Sequence, residues 1–425
     1  MAKVDNKRSI YVYVHWQGLS YPLLMGILHS ERLRGNEVFS FEYDGDWLES
    51  DFAYLLDPQL DFYHGPQFLS EGHQNFGMFL DSSPDRWGRL LMSRKEAAIA
   101  RKENRPIQTL YETDYLLGVF DEHRMGALRF KEDRDGPFLN DNREMAAPPW
   151  TSIRELEQIS LRLEEKDAVD NPEYYTWLKM LVDPGSSLGG ARPKASVKDT
   201  DGNLWIAKFP SRSDSGDIGG WEMVTYEMAL QAGINMAESR AQKFSSGNYT
   251  FLTKRFDRTT DGERLHFASA MTMLERQDMQ DHTVGASYLE IVDFITSHGG
   301  RVAEDLEELW RRIVFSICVS NTDDHLRNHG FLLTEKGWLL SPAYDINPNE
   351  SGTGLNLNIS DDDNALDLEL AMEVKDFFRL TEEKGQKIIE EVKKAVRSWR
   401  TLATRYGISR SEQEVKAIAF QCAES

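Results

Sequence analysis

One stretch narrows the choices for this chain more than any other: SNTDDHLRNHGFLLTEKGWLLSPAYDINP, Ser320 to Pro348. It sets acids, amides and histidines around two short apolar runs, and Glu335-Lys336-Gly337 between those runs reads as a hairpin turn. Asp323 and Asn328 have four residues between them, and Asp345 lies seventeen residues past Asn328, across the hairpin. Phosphoryl transfer needs a carboxylate that positions and deprotonates a hydroxyl nucleophile. It also needs oxygen ligands that hold Mg²⁺ on nucleotide phosphates. On spacing alone a polar helix end followed by a loop stays open as the bland alternative, because Asp-x4-Asn is common. The hairpin and the second aspartate weigh against it.

A catalytic-loop Asp, an Asn with four residues between, and a later Asp after a hairpin form the protein-kinase arrangement. Here the histidine of the H-R-D form is missing, and Tyr344-Asp345-Ile346 stands in place of D-F-G. Upstream, Lys208 sits in the apolar strand LWIAKFP, where an ammonium is unexpected unless it has a partner. A kinase lobe uses such a lysine to neutralise phosphates and holds it with a helix glutamate, for which Glu222 is the candidate and Glu227 the alternative. An outward-facing strand lysine is the plain reading of the same residue. The loop GSSLGGARPKA precedes that strand and is able to bring backbone N–H groups close to phosphate. It is neither a Walker A nor a G-x-G-x-x-G motif. His325 and His329 stand at i, i+4, but no H-E-x-x-H is present and Mg²⁺ prefers oxygen. His325 is therefore read as orienting Asp323 or touching the metal-site loop, not as a zinc ligand.

The 425 residues carry 49 Lys plus Arg against 70 Asp plus Glu, a formal charge of −21. That balance argues against a broad basic surface for DNA phosphates. Two cysteines, Cys318 and Cys422, provide neither a disulfide framework nor a paired-cysteine zinc site, and no apolar run approaches the ~20 residues of a membrane span. The expectation is a cytoplasmic, multidomain protein with no membrane segment. Alternating strands open the chain, with turns near Arg34-Gly35-Asn36 and Asp44-Gly45-Asp46. Ser83 and Pro84 look like a helix cap and first-turn proline. Helical patterns are expected from Thr151 to Glu164, over GGWEMVTYEMALQAGI, from Glu304 to Ser320 and from Thr381 to Ala403. The fold class read from this is α+β, kinase-like and two-lobed, with an extra N-terminal subdomain and a mostly helical C-terminal lobe. The boundaries are 1–145, 146–262 for the nucleotide-binding lobe with its Gly-rich loop, and 263–425.

At these residues the sequence resembles the HipA family of serine/threonine-protein kinases, toxins of bacterial type II toxin–antitoxin modules. FLDSSPDRWGRLLM and RMGALRF resemble that family's N-terminal subdomain. SSLGGARPKA, IAKFP and LTKRFDR follow in its order, and NTDDHLRNHGFLL and LSPAYDINP resemble its catalytic and metal-binding segments. The resemblance implies ATP and Mg²⁺ as cofactors, Asp323 as catalytic base, Asn328 and Asp345 as Mg²⁺ ligands, and Lys208 on the α/β-phosphates. It implies Glu222 as the acid opening the lobe's helix, Arg255 and Phe256 on adenine through their backbone, and Asp257 near the ribose. Ser187 matches the serine that members autophosphorylate to switch themselves off, with Gly189 and Gly190 beside it in the phosphate loop. Ser186 is the alternative phosphosite, and Arg192 or Lys194 are candidates to hold the added phosphate. Implied partners are a helix-turn-helix antitoxin of the HipB kind, a protein substrate of the aminoacyl-tRNA synthetase type, and DNA mainly through the antitoxin. Two rivals accompany this reading: a small-molecule kinase on the same fold, and a binding module without turnover.

Overall fold

The structure, a computed structural model, describes residues 7–33, 35–139, 148–182 and 190–424. The chain divides into two compact units, Met1–Ala207 with Asp257–Ala268, and Lys208–Phe256 with Ser269–Ser425.

The first unit opens on strands β1 (Lys7–Val14), β2 (Leu23–Leu33) and β3 (Asn36–Tyr43), continued by the two-residue β4 (Gln67–Phe68). With β5 (Leu128–Lys131) they form an antiparallel sheet ordered β4-β3-β2-β1-β5. Alternation gives the sheet one apolar face, and Ile10, Val12, Leu28, Phe39, Phe41 and Phe130 are all buried on folding. Helix α1 (Arg86–Lys102) follows. Its cap is Asp85, whose carboxylate accepts from the Gly88 N–H at 2.8 Å, whereas the Ser83 hydroxyl donates to the Phe79 carbonyl. The sequence reading placed the cap two residues early. A carboxylate also suits the positive end of the helix. Helices α2 (Ile153–Leu163) and α3 (Tyr174–Val182) pack on one another, and α3 packs on α1. Strands β6 (Lys194–Lys198) and β7 (Leu204–Lys208) then pair around a turn in which the Asp199 carboxylate accepts from the Asn203 and Asp201 N–H groups.

The second unit begins at Lys208. Helix α4 (Ile218–Gln231) is fixed at its start by Asp217, whose Oδ1 accepts from both the Gly220 and Tyr249 N–H groups at 2.9 Å. Glu412 reinforces this, accepting from the Asp217 N–H and the Trp221 indole at 2.8 Å each. The helix packs on the hairpin of β8 (Ser239–Lys243) and β9 (Tyr249–Lys254). Helix α5 (Tyr288–His298) starts with a capping box of Ser287 and Glu290. It packs on α6 (Val302–Val319), the central helix, whose residues from Ile313 onward are buried on all sides. The hairpin of β10 (Gly330–Thr334) and β11 (Gly337–Leu340) turns at Glu335-Lys336, as the sequence indicates. Helix α7 (Glu382–Val396) stops before α8 (Trp399–Arg405), so the pattern from Thr381 to Ala403 is two helices. The break has a local cause. The Ser398 hydroxyl donates to the Ala395 carbonyl at 2.7 Å, offering the chain an alternative to the helical ladder. Among the described residues no helix is long and apolar enough to cross a membrane.

The start of α4 tolerates no side chain at Gly219, where a Cβ would run into the Tyr249 carbonyl. Gly219→Ala is expected to cost ~1–3 kcal/mol through overpacking, read as a lowered urea midpoint with an unchanged slope.

Candidate active site

In the second unit three of the ionisable residues singled out by sequence meet, with two carboxylates on one ammonium. Lys208 Nζ, at the end of β7, donates to Glu222 Oε1 at 2.5 Å and to Asp345 Oδ1 at 2.6 Å. Glu222 lies on the second turn of α4, buried, while the Asp345 side chain is 32% exposed. Burial of Lys208 disfavours its charge, yet Asp345 and then Glu222 outweigh that cost and hold its pKa well above the ordinary lysine value. The alternative acid, Glu227, is occupied elsewhere by Tyr406 and Arg405.

Asp323 and Asn328 sit on the loop between α6 and β10. Helix α6 ends because Ser320 adopts a left-handed backbone, φ 51°, and turns the chain sharply. Asp323 is exposed, and its carbonyl accepts from the His325 N–H at 2.9 Å and from Asn328 Nδ2 at 3.0 Å. That bond fixes the amide of Asn328 and turns its Oδ1 the other way. Asp345 is itself left-handed, φ 57°, a conformation that aspartate accepts more readily than most residues. The two loops are laced together on both sides of Asp323. Asn321 Oδ1 accepts from the Asn347 N–H at 3.2 Å, the Ser320 carbonyl accepts from the Asn349 N–H at 3.1 Å, and Asn349 Nδ2 donates to Thr322 Oγ1 at 2.6 Å. On the far side the Tyr344 hydroxyl donates to the Arg327 carbonyl at 2.7 Å. Asn347 Nδ2 also donates to Asp345 Oδ1 at 3.2 Å.

The donor set suits a hard cation. Asn328 and Asp345 supply oxygen, and an ion on two protein groups would complete its shell with phosphate oxygens and water, as Mg²⁺ does. Among the described residues no group of three His, Cys, Asp or Glu side chains is arranged to hold a metal. His325 is half-buried with no hydrogen-bond partner for Nδ1, and it contributes a field that favours ionised Asp324. Arg255 is buried after β9, and the Phe256 ring lies 5.5 Å from that of Tyr344. Asp257 belongs to the first unit, where its buried carboxylate accepts from the Gly126 N–H at 2.8 Å and from Arg258 at 2.6 Å. Ser186, Ser187 and Gly189 lie outside the described residues. Gly190, in the first unit, has φ 103°, and its carbonyl accepts from Lys194 Nζ at 3.2 Å. Lys194 in turn is paired with Asp85 at 2.6 Å. A cavity of about 310 Å³ in that unit, walled by His15, Trp16, Asp121, Arg129 and Arg264, contains none of these residues.

Sequence reasoning passed over Asp324, Tyr288, Asn321, Asn347 and Asn349, which hold the loops. The signal available was the Asp323-Asp324 doublet: two adjacent carboxylates in a short loop face different surroundings, so one of them requires buried partners.

The family profile described as HipA-like C-terminal domain matches residues 186–399, half of the chain. The chain belongs to that family. A chain of the solved Shewanella oneidensis MR-1 toxin–antitoxin complex of HipA, HipB and operator DNA superposes with a TM-score of 0.63 at 17% identity, covering 97% of this chain and 95% of that one. The HipA-like fold, and with it the α+β, kinase-like class read from sequence, is therefore shared along nearly the whole length. A Haemophilus influenzae Rd protein with a provisional kinase name is 27% identical over 181 residues. That alignment takes in 38% of this chain and spans about half, 52%, of the relative.

Removing the ammonium tests the cluster. Lys208→Met removes the cation between Glu222 and Asp345 and is expected to cost ~3–5 kcal/mol near neutral pH, as for other broken buried pairs. The wild-type lysine contribution is fully present below the unfolded pKa of ~10.4 and fades only as pH rises through the raised folded value. In the variant, burial without a cation disfavours the charged Glu222 carboxyl, so the penalty is smallest at low pH and grows as pH rises. Urea denaturation should therefore show a larger loss at pH 8 than at pH 5.

Proposed function

We propose that this protein is an ATP- and Mg²⁺-dependent kinase that transfers the γ-phosphoryl group to a serine or threonine hydroxyl of a protein, Ser187 of its own chain included. The observation that carries the reading is the Lys208 ammonium held between a helix glutamate and the Asp345 carboxylate, beside a loop that presents Asp323 and Asn328. Phosphoryl transfer is catalysed mainly by positioning and charge neutralisation, and this cluster is arranged for both.

In that reaction Asp323 accepts the proton of the attacking hydroxyl as the new O–P bond forms and the bond from the γ-phosphorus to the ADP oxygen breaks. Lys208 neutralises the α/β-phosphates, and Glu222 keeps it extended toward them. Asn328 and Asp345 would hold a Mg²⁺, whose charge would screen the phosphate oxygens. Arg255 and Phe256 offer backbone groups to adenine. The Gly-rich loop through Gly190 contributes N–H groups to phosphate. A phosphate gained at Ser187 adds ~−1.5 to −2 charge, which would reorder that loop. Arg192 and Lys194, the latter paired with Asp85, are the candidates to hold that phosphate.

Regulation follows the toxin–antitoxin pattern: a helix-turn-helix antitoxin of the HipB kind neutralises the kinase in the cytoplasm and carries most of the DNA contact. The formal charge of −21 makes a direct broad DNA surface unfavourable.

The deciding experiment is the intact mass of the full chain before and after Mg-ATP, with phosphopeptide mapping. A phosphate on Ser187, absent in Asp323→Ala and in Asp345→Ala and abolished by excess EDTA, is the expected result. ATP binding without self-modification would turn the search toward a small-molecule acceptor. Absence of both nucleotide binding and phosphate would overturn the kinase reading.

A further inference from the structure

Beside exposed Asp323 stands a second carboxylate that the proposed reaction leaves without a task. Asp324 is 4% exposed. Its Oδ2 accepts from the Tyr288 hydroxyl at 2.6 Å and from the Ser316 hydroxyl at 3.3 Å, and its Oδ1 lies 3.0 Å from His329 Nε2. Those partners come from three directions: Tyr288 opens α5, Ser316 lies on the last turn but one of α6, and His329 leads into β10. Tyr288 and His329 are themselves buried, with their rings edge to face at 5.7 Å. The His329 carbonyl further accepts from the Ala270 N–H at 2.8 Å.

A buried carboxylate costs several kcal/mol in desolvation, and apolar packing in its place is often no less stable. Stability alone therefore gives a weak account of an acid here. Direction gives a stronger one. Hydrogen bonds from Tyr288 on α5 and Ser316 on α6, with the His329 ring 3.0 Å away on the third side, fix the rotation of the Asp324 residue, and with it the peptide that joins it to Asp323. The Asp323 carbonyl on that peptide accepts from the His325 N–H and from Asn328 Nδ2, so the orientation of one peptide sets the aim of both Asp323 and Asn328. Asn321, one turn earlier, reaches Ser316 from the other side, its Nδ2 3.4 Å from the hydroxyl. Burial works against the charge of Asp324, but His329 and the Tyr288 hydroxyl outweigh it and hold the carboxyl below its usual range, so it remains an acceptor.

We propose that Asp324, braced by Tyr288, Ser316 and His329, is a positioning residue that holds the loop carrying Asp323 and Asn328 in its working geometry. The proposal rests on the kinase reading for its consequence in catalysis, and on the loop alone for its consequence in structure. It divides the aspartate doublet by role: the outer acid faces the acceptor, and the inner one aims it. A positioning partner of this kind typically changes rate by ~10–100-fold without touching the substrate.

The test uses the full chain and the variants Asp324→Asn, Tyr288→Phe and Asp323→Asn. In Asp324→Asn, amide exchange over residues 321–329 without nucleotide should quicken about tenfold or more, and the rate of phosphate incorporation from Mg-ATP should fall ~10–100-fold. Affinity for ATP without Mg²⁺, by calorimetry, should stay within about threefold, because Lys208 and Glu222 are untouched. Tyr288→Phe should shift exchange and rate in the same directions by less, and it carries the test if Asp324→Asn fails to fold. Asp323→Asn should abolish transfer and leave exchange unchanged, separating the base from its support. Unchanged exchange and rate in both Asp324→Asn and Tyr288→Phe would overturn the proposal. If the wild-type chain binds no Mg-ATP, the kinase reading fails by itself, and the exchange measurement still decides whether Asp324 fixes the loop.

Discussion

A single ammonium shared by two carboxylates organises the second unit. Lys208 comes from a strand, Glu222 from a helix, and Asp345 from a loop more than a hundred residues further along. Each would be costly to bury alone, and together they leave one net negative charge in a partly solvated setting. The cost of breaking such a pair greatly exceeds what forming it contributes, and that asymmetry makes the arrangement specific. The alternatives to Glu222 are removed by other contacts, since Glu227 is held by Tyr406 and Arg405. Helix α4 is set by the same economy of polar groups: Asp217 takes the Gly220 N–H and Glu412 the Asp217 N–H, fixing the first turn ahead of Glu222.

From that ammonium the order extends outward through Asp345. Its left-handed backbone would be strained in isolation, and the surrounding lace over-determines it. Bonds from Asn347 and Asn349 reach the start of the Ser320–Asn328 loop, and Tyr344 reaches its end. The second left-handed residue, Ser320, stands where α6 must stop, and its hydroxyl donates to the Ala419 carbonyl. Both strained positions therefore sit at the ends of the polar stretch that carries the candidate chemistry. Regular secondary structure delivers the chain to these points, and side-chain amides hold what lies between.

How much of this was readable beforehand depends on whether an interaction is local. The hairpin at Glu335-Lys336 and the amphipathic α6 follow from neighbouring residues, and sequence spacing reaches them. The spacing of Asp323, Asn328 and Asp345 likewise announces a chemistry, because few residue sets suit phosphates and a hard cation. The cap of α1 shows the limit. Ser83, Pro84 and Asp85 all fit an N-terminus, and the choice of Asp85 is made by the tertiary demand of Lys194, which no local pattern records. Asp324 shows it again. Nothing in Asp323-Asp324 states which acid faces inward until Tyr288, far back in the sequence, and His329, just past the loop, are brought against it. The break at Ser398 was legible in principle, since serine competes for helix carbonyls, but the uninterrupted charge pattern masked it.

The geometry of the cluster also bears on how a nucleotide would enter it. Asp345 Oδ1 accepts from both Lys208 and Asn347, so the carboxylate that the proposed reaction assigns to Mg²⁺ is engaged through one oxygen by the lysine assigned to phosphate. Phosphate oxygens and the Asp345 carboxylate are chemically similar partners for an ammonium. In the proposed reaction, entry of a Mg-nucleotide would exchange one anion for another at Lys208 and offer the displaced carboxylate a cation in return. Little charge is left unpaired at any stage, which keeps the exchange inexpensive in a setting where naked charges are not tolerated. Glu222, almost fully buried, takes no part in the exchange and keeps the ammonium in place throughout. In the proposed reaction the contact of Lys208 with Asp345 would thus be the one that nucleotide and cation replace in kind, while Glu222 keeps its hold.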